Sequence, residues 1–307
     1  MLMLGSFNSF VSGMFESVYK TPYVFGPHHL EICDALFDVV MGKCRKLIIN
    51  IAPRYGKTEL VVKMFIAWCF ALNDACKFIH LSYSSTLVED NSESIKSIMK
   101  SDYYRLMFPY ACISKNKDTK RMWKTTGGGG LYAVSTLGQI TGFGAGATDK
   151  EDEEIDEKTL DEFWAWFNPD GFAGAVIIDD PIKPEDALSD NIREQVNRRF
   201  ETTIRNRVNS RKTPIIIICQ RTHEEDLCGY LMSIEPDEWK VISIPVISYD
   251  ENGNERALWE LKHTLEELHK IENASPFVFQ TQYLQNPTPL EGLMYTSLKT
   301  YDILPDS

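Results

Sequence analysis

Four short runs constrain this chain more than anything else in it: RKLIINIAP (45–53), KFIHLSYS (77–84), GAVIIDDP (174–181) and TPIIIICQRT (213–222). All are rich in β-branched residues, and two are almost continuously apolar. Strands covered by helices on both faces read this way, because neither face needs polar side chains. Helical patterns lie between them. Residues 58–72 (TELVVKMFIAWCFAL) are apolar nearly all round, which suits a buried helix. Residues 84–100 give a more polar helix, and 191–206 an amphipathic, basic one. Strands alternating with helices predict an α/β layer fold with a mostly parallel central sheet flanked by helices. TTGGGGLYAVSTLGQITGFGAG (125–146) reads as a hairpin followed by a loop, and WKVISIPVIS (239–248) as one further strand. After about Pro287 the periodicity fades into a Pro-rich tail.

Between the first strand and the first buried helix stands NIAPRYGKTE (50–59). The phosphate-binding loop pattern is G-x-x-x-x-G-K-[ST]. Gly56, Lys57 and Thr58 fit it, but Ile51 occupies the place of the first glycine. A strand–loop–helix order points backbone N–H groups and a helix N-terminus at an anion. On this reading Lys57 reaches the β- and γ-phosphates of ATP, and the Thr58 hydroxyl binds Mg²⁺. Pro53 fixes the loop backbone, Arg54 adds a second cation, and Tyr55 and Glu59 complete the nucleotide-binding stretch.

Such a loop needs a carboxylate partner. Asp179 and Asp180 end a buried strand and project into the crevice where open α/β sheets bind ligands. Asp179 is the expected metal ligand. Asp180 is the expected general base that polarises water. A third buried strand ends in Gln220, Arg221, Thr222 and His223; Gln220 and Thr222 share one face and Arg221 the other. Gln220 is a candidate sensor of the γ-phosphate. His223 has no second histidine at ligand spacing, which speaks against a metal there.

Composition excludes several classes. The 307 residues, 43% hydrophobic and 25% charged, are ordinary for a soluble globular protein of one large or two modest domains. No apolar run approaches a membrane span, and the N-terminus has no basic residue before Lys20, so it reads as a mature helix rather than a signal. The seven cysteines form no C-x-x-C pair, which suits a reducing compartment. The net charge of −12 argues against a DNA-coating surface. Nine of the acids lie in DKEDEEIDEKTLDE (149–162), expected as a solvated loop or helix face, so a local basic patch elsewhere is not excluded.

The chain resembles the N-terminal ATPase domain of tailed-bacteriophage terminase large subunits. The matching segments are YVFGPHHLEICDAL, IAPRYGKTEL, LSYSSTLVEDNSESIKSIM, TTGGGGLYAVSTLGQITGFGAG, VIIDDPIKPEDALS, TTIRNRV, IIIICQRTHEEDLCGYL and FQTQYLQNPTPLEG, spread over residues 23–292. The resemblance implies a RecA-like ASCE P-loop ATPase of a DNA-packaging motor. It implies double-stranded DNA, a portal protein and a terminase small subunit as partners, self-association into a ring on the capsid, and the bacterial host cytoplasm as location, with no membrane. A phosphate loop without its first glycine and with an arginine before Gly-Lys is common in that family, which accounts for Ile51 and Arg54. Tyr55 departs from the small or polar residue often found there. Asp180 stands where many relatives carry Glu, which leaves Glu185 or a water chain as alternative water-orienting groups.

The expected organisation is an N-terminal helical, adenine-flanking segment (1–45), an ATPase core with small C-terminal lid elements (46–290), and a linker (291–307) toward a nuclease domain that the chain does not include. No nuclease activity is therefore expected of it. Tyr23 or Phe25 would stack on adenine, with His28 or His29 at its edge. Arg205 or Arg207 would enter a neighbour's site as an arginine finger, with Arg121 as a second candidate. Two other readings remain open at this level. A helicase-like or other nucleic-acid-dependent P-loop ATPase would need a second RecA-like domain. A non-catalytic packaging adaptor would not need Lys57, Thr58 and Asp179.

Overall fold

The computed structural model describes residues 2–137, 171–207 and 212–288. The acidic run at 149–162, the loop expected at the end of the Gly-rich segment and the linker expected from 291 lie outside these residues.

An eight-stranded sheet forms the centre, in the order β3-β4-β5-β2-β6-β7-β1-β8. Its strands are β1 (Lys46–Ile51), β2 (Lys77–Ser82), β3 (Ile113–Asp118), β4 (Met122–Thr125), β5 (Gly130–Ser135), β6 (Val176–Asp179), β7 (Ile215–Cys219) and β8 (Lys240–Ile244). The six strands from β5 to β8 run parallel, and β3 and β4 extend the sheet antiparallel at one flank. The expected hairpin is β4–β5. A Cβ at Gly129 in its turn would stand 2.3 Å from the Asp74 carbonyl oxygen, so only glycine lets this turn lie against residues 74–76.

The side-chain period of two splits the apolar strands between two layers. Leu47, Ile49, Ile51, Ile216 and Ile218 enter one core; Ile48, Ile215, Ile217 and Cys219 enter the other. Each fully buried aliphatic side chain stabilises the fold by about 1.5–3 kcal/mol. The polar residues inside these strands are partnered: Asn50 lies against Cys219 and Cys228, and His80 against the Ile177 carbonyl and Asn91.

The first core is built by α2 (Phe7–Tyr19), preceded by the short α1 (Leu2–Gly5), by α3 (Pro27–Val40), and by the helix after the loop. Ser6 caps α2, its hydroxyl accepting from Ser9 N–H at 3.3 Å. Phe7 packs on Phe65 and Trp68, with ring centroids 5.8 and 5.1 Å apart. The N-terminal helices thus share one core with β1. The helix expected over 58–72 is present, but its first turns are wide: Glu59–Met64 is π-helical and continues as α4 (Phe65–Leu72), every residue of which is buried.

Beyond β2 come α5 (Ser85–Lys100), capped by Ser84, and α6 (Asp102–Met107). The second layer holds α7 (Asp190–Arg199), which runs on through π and 3₁₀ turns to Arg207, and α8 (Leu227–Ile234). WKVISIPVIS is not one strand. Pro245 separates β8 from β9 (Ile247–Tyr249), which leaves the main sheet and pairs with β10 (Glu255–Ala257). Proline has no N–H for a ladder, so the break falls there. The chain then forms α9 (Leu265–Ala274) and a turn of helix through Phe279–Tyr283. Among the described residues no helix is long and apolar enough to cross a membrane.

Candidate active site

Strand β7 lies between β1 and β6, so the loop after β1 and the acidic pair at the end of β6 are two strand spacings apart, roughly 10 Å. Side chains from the loop close that gap. Lys57 Nζ donates to Asp180 Oδ1 at 2.6 Å, and Thr58 Oγ1 donates to Asp179 Oδ2 at 2.7 Å. Residues 121 and 123 positions apart thereby meet above the carboxyl ends of three parallel strands.

The loop backbone is unusual. Arg54 has φ +63° and Gly56 φ +80°. Gly56 has a second reason to be glycine: a Cβ there would lie 2.6 Å from His29 Nε2 and 3.1 Å from the Tyr23 hydroxyl. His29 supports the loop from behind. Its Nδ1 accepts from Gly26 N–H at 2.8 Å, so Nε2 carries the proton and donates to the Tyr55 carbonyl at 3.1 Å. Burial pushes the His29 imidazole down to about 4, so it is neutral at pH 7.

Tyr55 is fully buried under the loop. Its hydroxyl meets His263 Nδ1 at 3.0 Å. Trp259 packs edge-on against His28 and His29, at 5.5 and 5.0 Å. Trp259 and His263 belong to the segment after β10 and were not legible as site residues in the sequence, since nothing in their spacing ties them to the loop. Both ring nitrogens of His29 are committed to the protein. In this arrangement His29 fixes the loop. Tyr23 and Phe25 remain half-buried beside it, their rings 4.7 Å apart.

Asp180 adopts φ +44°, a left-handed conformation in which short polar side chains are the best tolerated non-glycine residues. Its backbone is held on both sides: N–H donates to the Ile218 carbonyl at 2.9 Å, and C=O accepts from Tyr83 N–H at 3.0 Å. Gln220 N–H approaches its Oδ1 at 3.4 Å.

Asp179 is buried. Burial, reinforced by the neighbouring Asp180 charge, raises its carboxyl to about 7, against the pull of Lys57 and Thr58. Burial opposes the charge on Lys57, but Asp180 and then Asp179 outweigh it and hold the ammonium above its usual range.

Among the buried polar atoms with no hydrogen-bond partner are Asp179 Oδ1, Gln220 Oε1 and Thr222 Oγ1 and, beside the loop, Tyr23 Oη and both ring nitrogens of His28. Buried groups are rarely left so, and a cluster of them marks a place where a ligand completes the set. Asp180, Gln220 and Thr222 also line a small cavity. Thr58 and Asp179 supply a hydroxyl and a free carboxylate oxygen, the kind of sparse hard-oxygen set Mg²⁺ takes when substrate phosphates and water supply the rest. The residues fit that ion. Among the described residues no group of three His, Cys, Asp or Glu could hold a metal by itself, His223 included.

The other expected residues lie elsewhere. Pro53 is half-buried and Arg54 exposed on the loop. Glu59 turns away to accept from Tyr19 Oη at 2.8 Å and to pair with Lys63 at 2.9 Å. Arg205 is occupied: Nη1 donates to Glu235 Oε1 at 2.7 Å, Glu201 lies 3.3 Å away, and the guanidinium sits over the Phe200 ring. Glu235 also binds Lys46, the first residue of β1, so Arg205 is at the opposite end of the sheet, roughly 17 Å from the loop along β1. It is not at this chain's own site. The side chain of Arg207 lies outside what is described. Arg121 is exposed, pairs with Glu89 at 2.6 Å, and stands on the same edge as the loop, but five strands away in the sheet, roughly 24 Å.

No family model matches the sequence, and no curated protein matches it. Solved structures do match the fold. The HK97 bacteriophage large terminase superposes with a TM-score of 0.54 at 10% identity, over 92% of this chain and 55% of that one. The large terminase ATPase domain of Thermus phage P74-26, in a mutant form, gives 0.52 at 12% identity, over 89% of this chain and 97% of that domain. The chain thus spans about half the length of the HK97 protein and nearly all of the P74-26 domain. It has the RecA-like fold of phage large-terminase ATPase domains.

Proposed function

We propose that this chain is the ATPase motor domain of a viral DNA-packaging terminase, coupling Mg²⁺-dependent ATP hydrolysis to movement of double-stranded DNA into a procapsid. The observation that carries the reading is the meeting of Lys57 and Thr58 with Asp180 and Asp179 across β7. Thr58 and Asp179 would hold a Mg²⁺ ion, which would supply charge neutralisation on the phosphate oxygens of ATP. Lys57 exchanges Asp180 for phosphate oxygens, which frees the Asp180 carboxylate to polarise water. Gln220 and Thr222, with their unpaired buried oxygens, read the ligand's outer end. Tyr23 and Phe25 flank the base.

A ring of subunits on a portal, a small subunit as partner and the host cytoplasm as setting belong to the same proposal, supported by the fold and the site. The test is phosphate release from Mg·ATP with and without double-stranded DNA. Activity that Lys57→Ala abolishes supports the reading. Activity unchanged in Lys57→Ala, or none in any assembled state, defeats it.

A further inference from the structure

Strand β7 ends at Cys219, and of the next three residues, Gln220, Arg221 and Thr222, the first and third carry unpartnered buried oxygens at the cavity beside Asp180. Their backbone is spoken for at each step. Gln220 N–H approaches Asp180 Oδ1, and Thr222 N–H donates to Asp226 Oδ2 at 2.9 Å. Between them, Arg221 N–H donates to the side chain of Gln285, with Oε1 at 3.0 Å. Both residues are buried, at 7% and 5% exposure, and 64 positions separate them. The Arg221 side chain does not share in this contact: its guanidinium is turned to Asp226, 2.9 Å away, and to the His223 carbonyl.

Gln285 is held in an uncommon state. Its φ is +57°, in the left-handed region that L side chains rarely adopt. Its Nε2 donates to the Gln282 carbonyl, which settles the amide orientation and leaves Oε1 for Arg221. The conformation is that of the residue just past a helix end: Leu284 caps the turn Phe279–Tyr283, and Asn286 N–H donates back to the Gln280 carbonyl at 3.0 Å, so the helix ending holds the Gln285 backbone in place. Around it the segment 276–288 is anchored to the rest of the fold mainly by packing, with Phe279 and Thr281 buried, and by Val246 N–H donating to the Tyr283 carbonyl at 3.0 Å. That second anchor lies on the connection after β8. The bond at Gln285 is the one that reaches the ligand-facing end of β7.

We propose that Gln285 is a positioning residue that couples occupancy of the nucleotide site to the segment 276–288, through the backbone of Arg221. The proposal rests on the nucleotide reading above. A ligand that engages the unpaired Gln220 and Thr222 oxygens fixes the backbone between them. Arg221 N–H is the middle of that stretch, so its direction is set by the ligand and read by Gln285. The segment 276–288 then differs between filled and empty states.

The experiment is hydrogen–deuterium exchange by mass spectrometry on the full chain, with and without Mg²⁺ and a slowly hydrolysed ATP analogue. It compares wild type, Gln285→Ala and Gln285→Gly, with analogue affinity measured in parallel. Glycine adopts φ +57° without strain, so it removes the bond while keeping the backbone; it serves if the alanine variant fails to fold. The expected result is ligand-induced protection of peptides covering 276–288 in wild type, lost in the variants, with affinity within threefold of wild type and protection of the loop peptide 51–60 retained. Persistence of the 276–288 change in a folded variant overturns the coupling. So does a wild type that binds the analogue and protects 51–60 but not 276–288. A wild type that binds no nucleotide at all overturns the nucleotide reading itself, and the coupling with it; protection at 51–60 tells the two failures apart.

Discussion

Lys57 Nζ lies 2.6 Å from Asp180 Oδ1, and only 6% of the lysine side chain is exposed. A buried ammonium must be paired or it becomes costly. Here the loop lysine borrows the carboxylate assigned to water. A nucleotide phosphate therefore competes with Asp180 for the same cation. Asp180→Asn removes the competitor's charge but keeps a short side chain that accepts φ +44°. We expect nucleotide affinity equal to or tighter than wild type, with turnover down about 10²–10⁴-fold, the usual worth of a general base. Fluorescent-nucleotide titration and steady-state phosphate release check this. Normal turnover would move the role to another group.

Asp180→Glu separates geometry from charge. The longer side chain gains little from a left-handed backbone and overshoots Lys57. Poorer stability and lower turnover than wild type are expected. An equally active, equally stable variant would show that the backbone relaxes, and a urea melt beside the activity assay is enough to see it.

Gly56→Ala tests how the loop is supported. The new Cβ meets both φ +80° and His29 Nε2 at 2.6 Å. The left-handed conformation alone costs an L residue about 1–2 kcal/mol, and the displaced imidazole adds to it. Urea unfolding should show a loss of at least that size, and nucleotide binding should vanish. His29→Ala in the same background should return part of the stability, because it removes the clash.

These expectations show which layer of the site was legible in sequence. Lys57, Thr58, Asp179 and Asp180 stand at the ends of runs whose apolar pattern announces buried strands, so chain order alone fixed their edge of the sheet. The break at Pro245 was missed: the apolar residues on both sides made WKVISIPVIS read as one strand. Trp259, His263 and Gln285 were not legible. They reach the loop and β7 through tertiary packing from a segment with no strong period, and no local pattern encodes such a meeting. Tyr55 looked anomalous in sequence because its space under the loop, beside His263, exists only in the fold.

Glu235 gives a pH test away from the site. It accepts from Lys46 at 2.9 Å, from Arg205 at 2.7 Å and from Trp239 Nε1 at 3.0 Å. Burial pushes its carboxyl up, but these partners prevail and bring it down to about 2 from 4.5. A folded value below the unfolded one means stability that is present above about pH 4.5 and lost as pH falls through 2. Urea unfolding between pH 6 and 2.5 should therefore show wild type losing its advantage over Glu235→Gln as acid is added. A constant difference between the two would show that the carboxyl is not shifted.

The trans-acting arginine is the last question. Arg205 was the first sequence candidate with Arg207; Glu235, Glu201 and Phe200 engage its side chain. Withdrawing it would leave Glu235 with fewer partners. Arg121 has 65% of its side chain exposed, a single carboxylate partner, and a place on the loop's edge of the sheet at the far flank. A ring that sets one subunit's β4 flank against the next subunit's β1 brings it to a neighbour's phosphates, where a cation stabilises developing charge. The decisive experiment mixes Lys57→Ala subunits, which keep their arginines, with Arg121→Ala subunits, which keep their loops, under conditions that support assembly. Recovered hydrolysis in the mixture, above either variant alone, is the expected outcome. The same mixing with Arg205→Ala should give no such recovery, because that variant loses a structural ion pair rather than a partner's catalyst. Recovery with Arg205→Ala but not with Arg121→Ala, in assemblies shown to be mixed, would reverse the assignment; recovery with Arg207→Ala alone would hand the role to the third candidate.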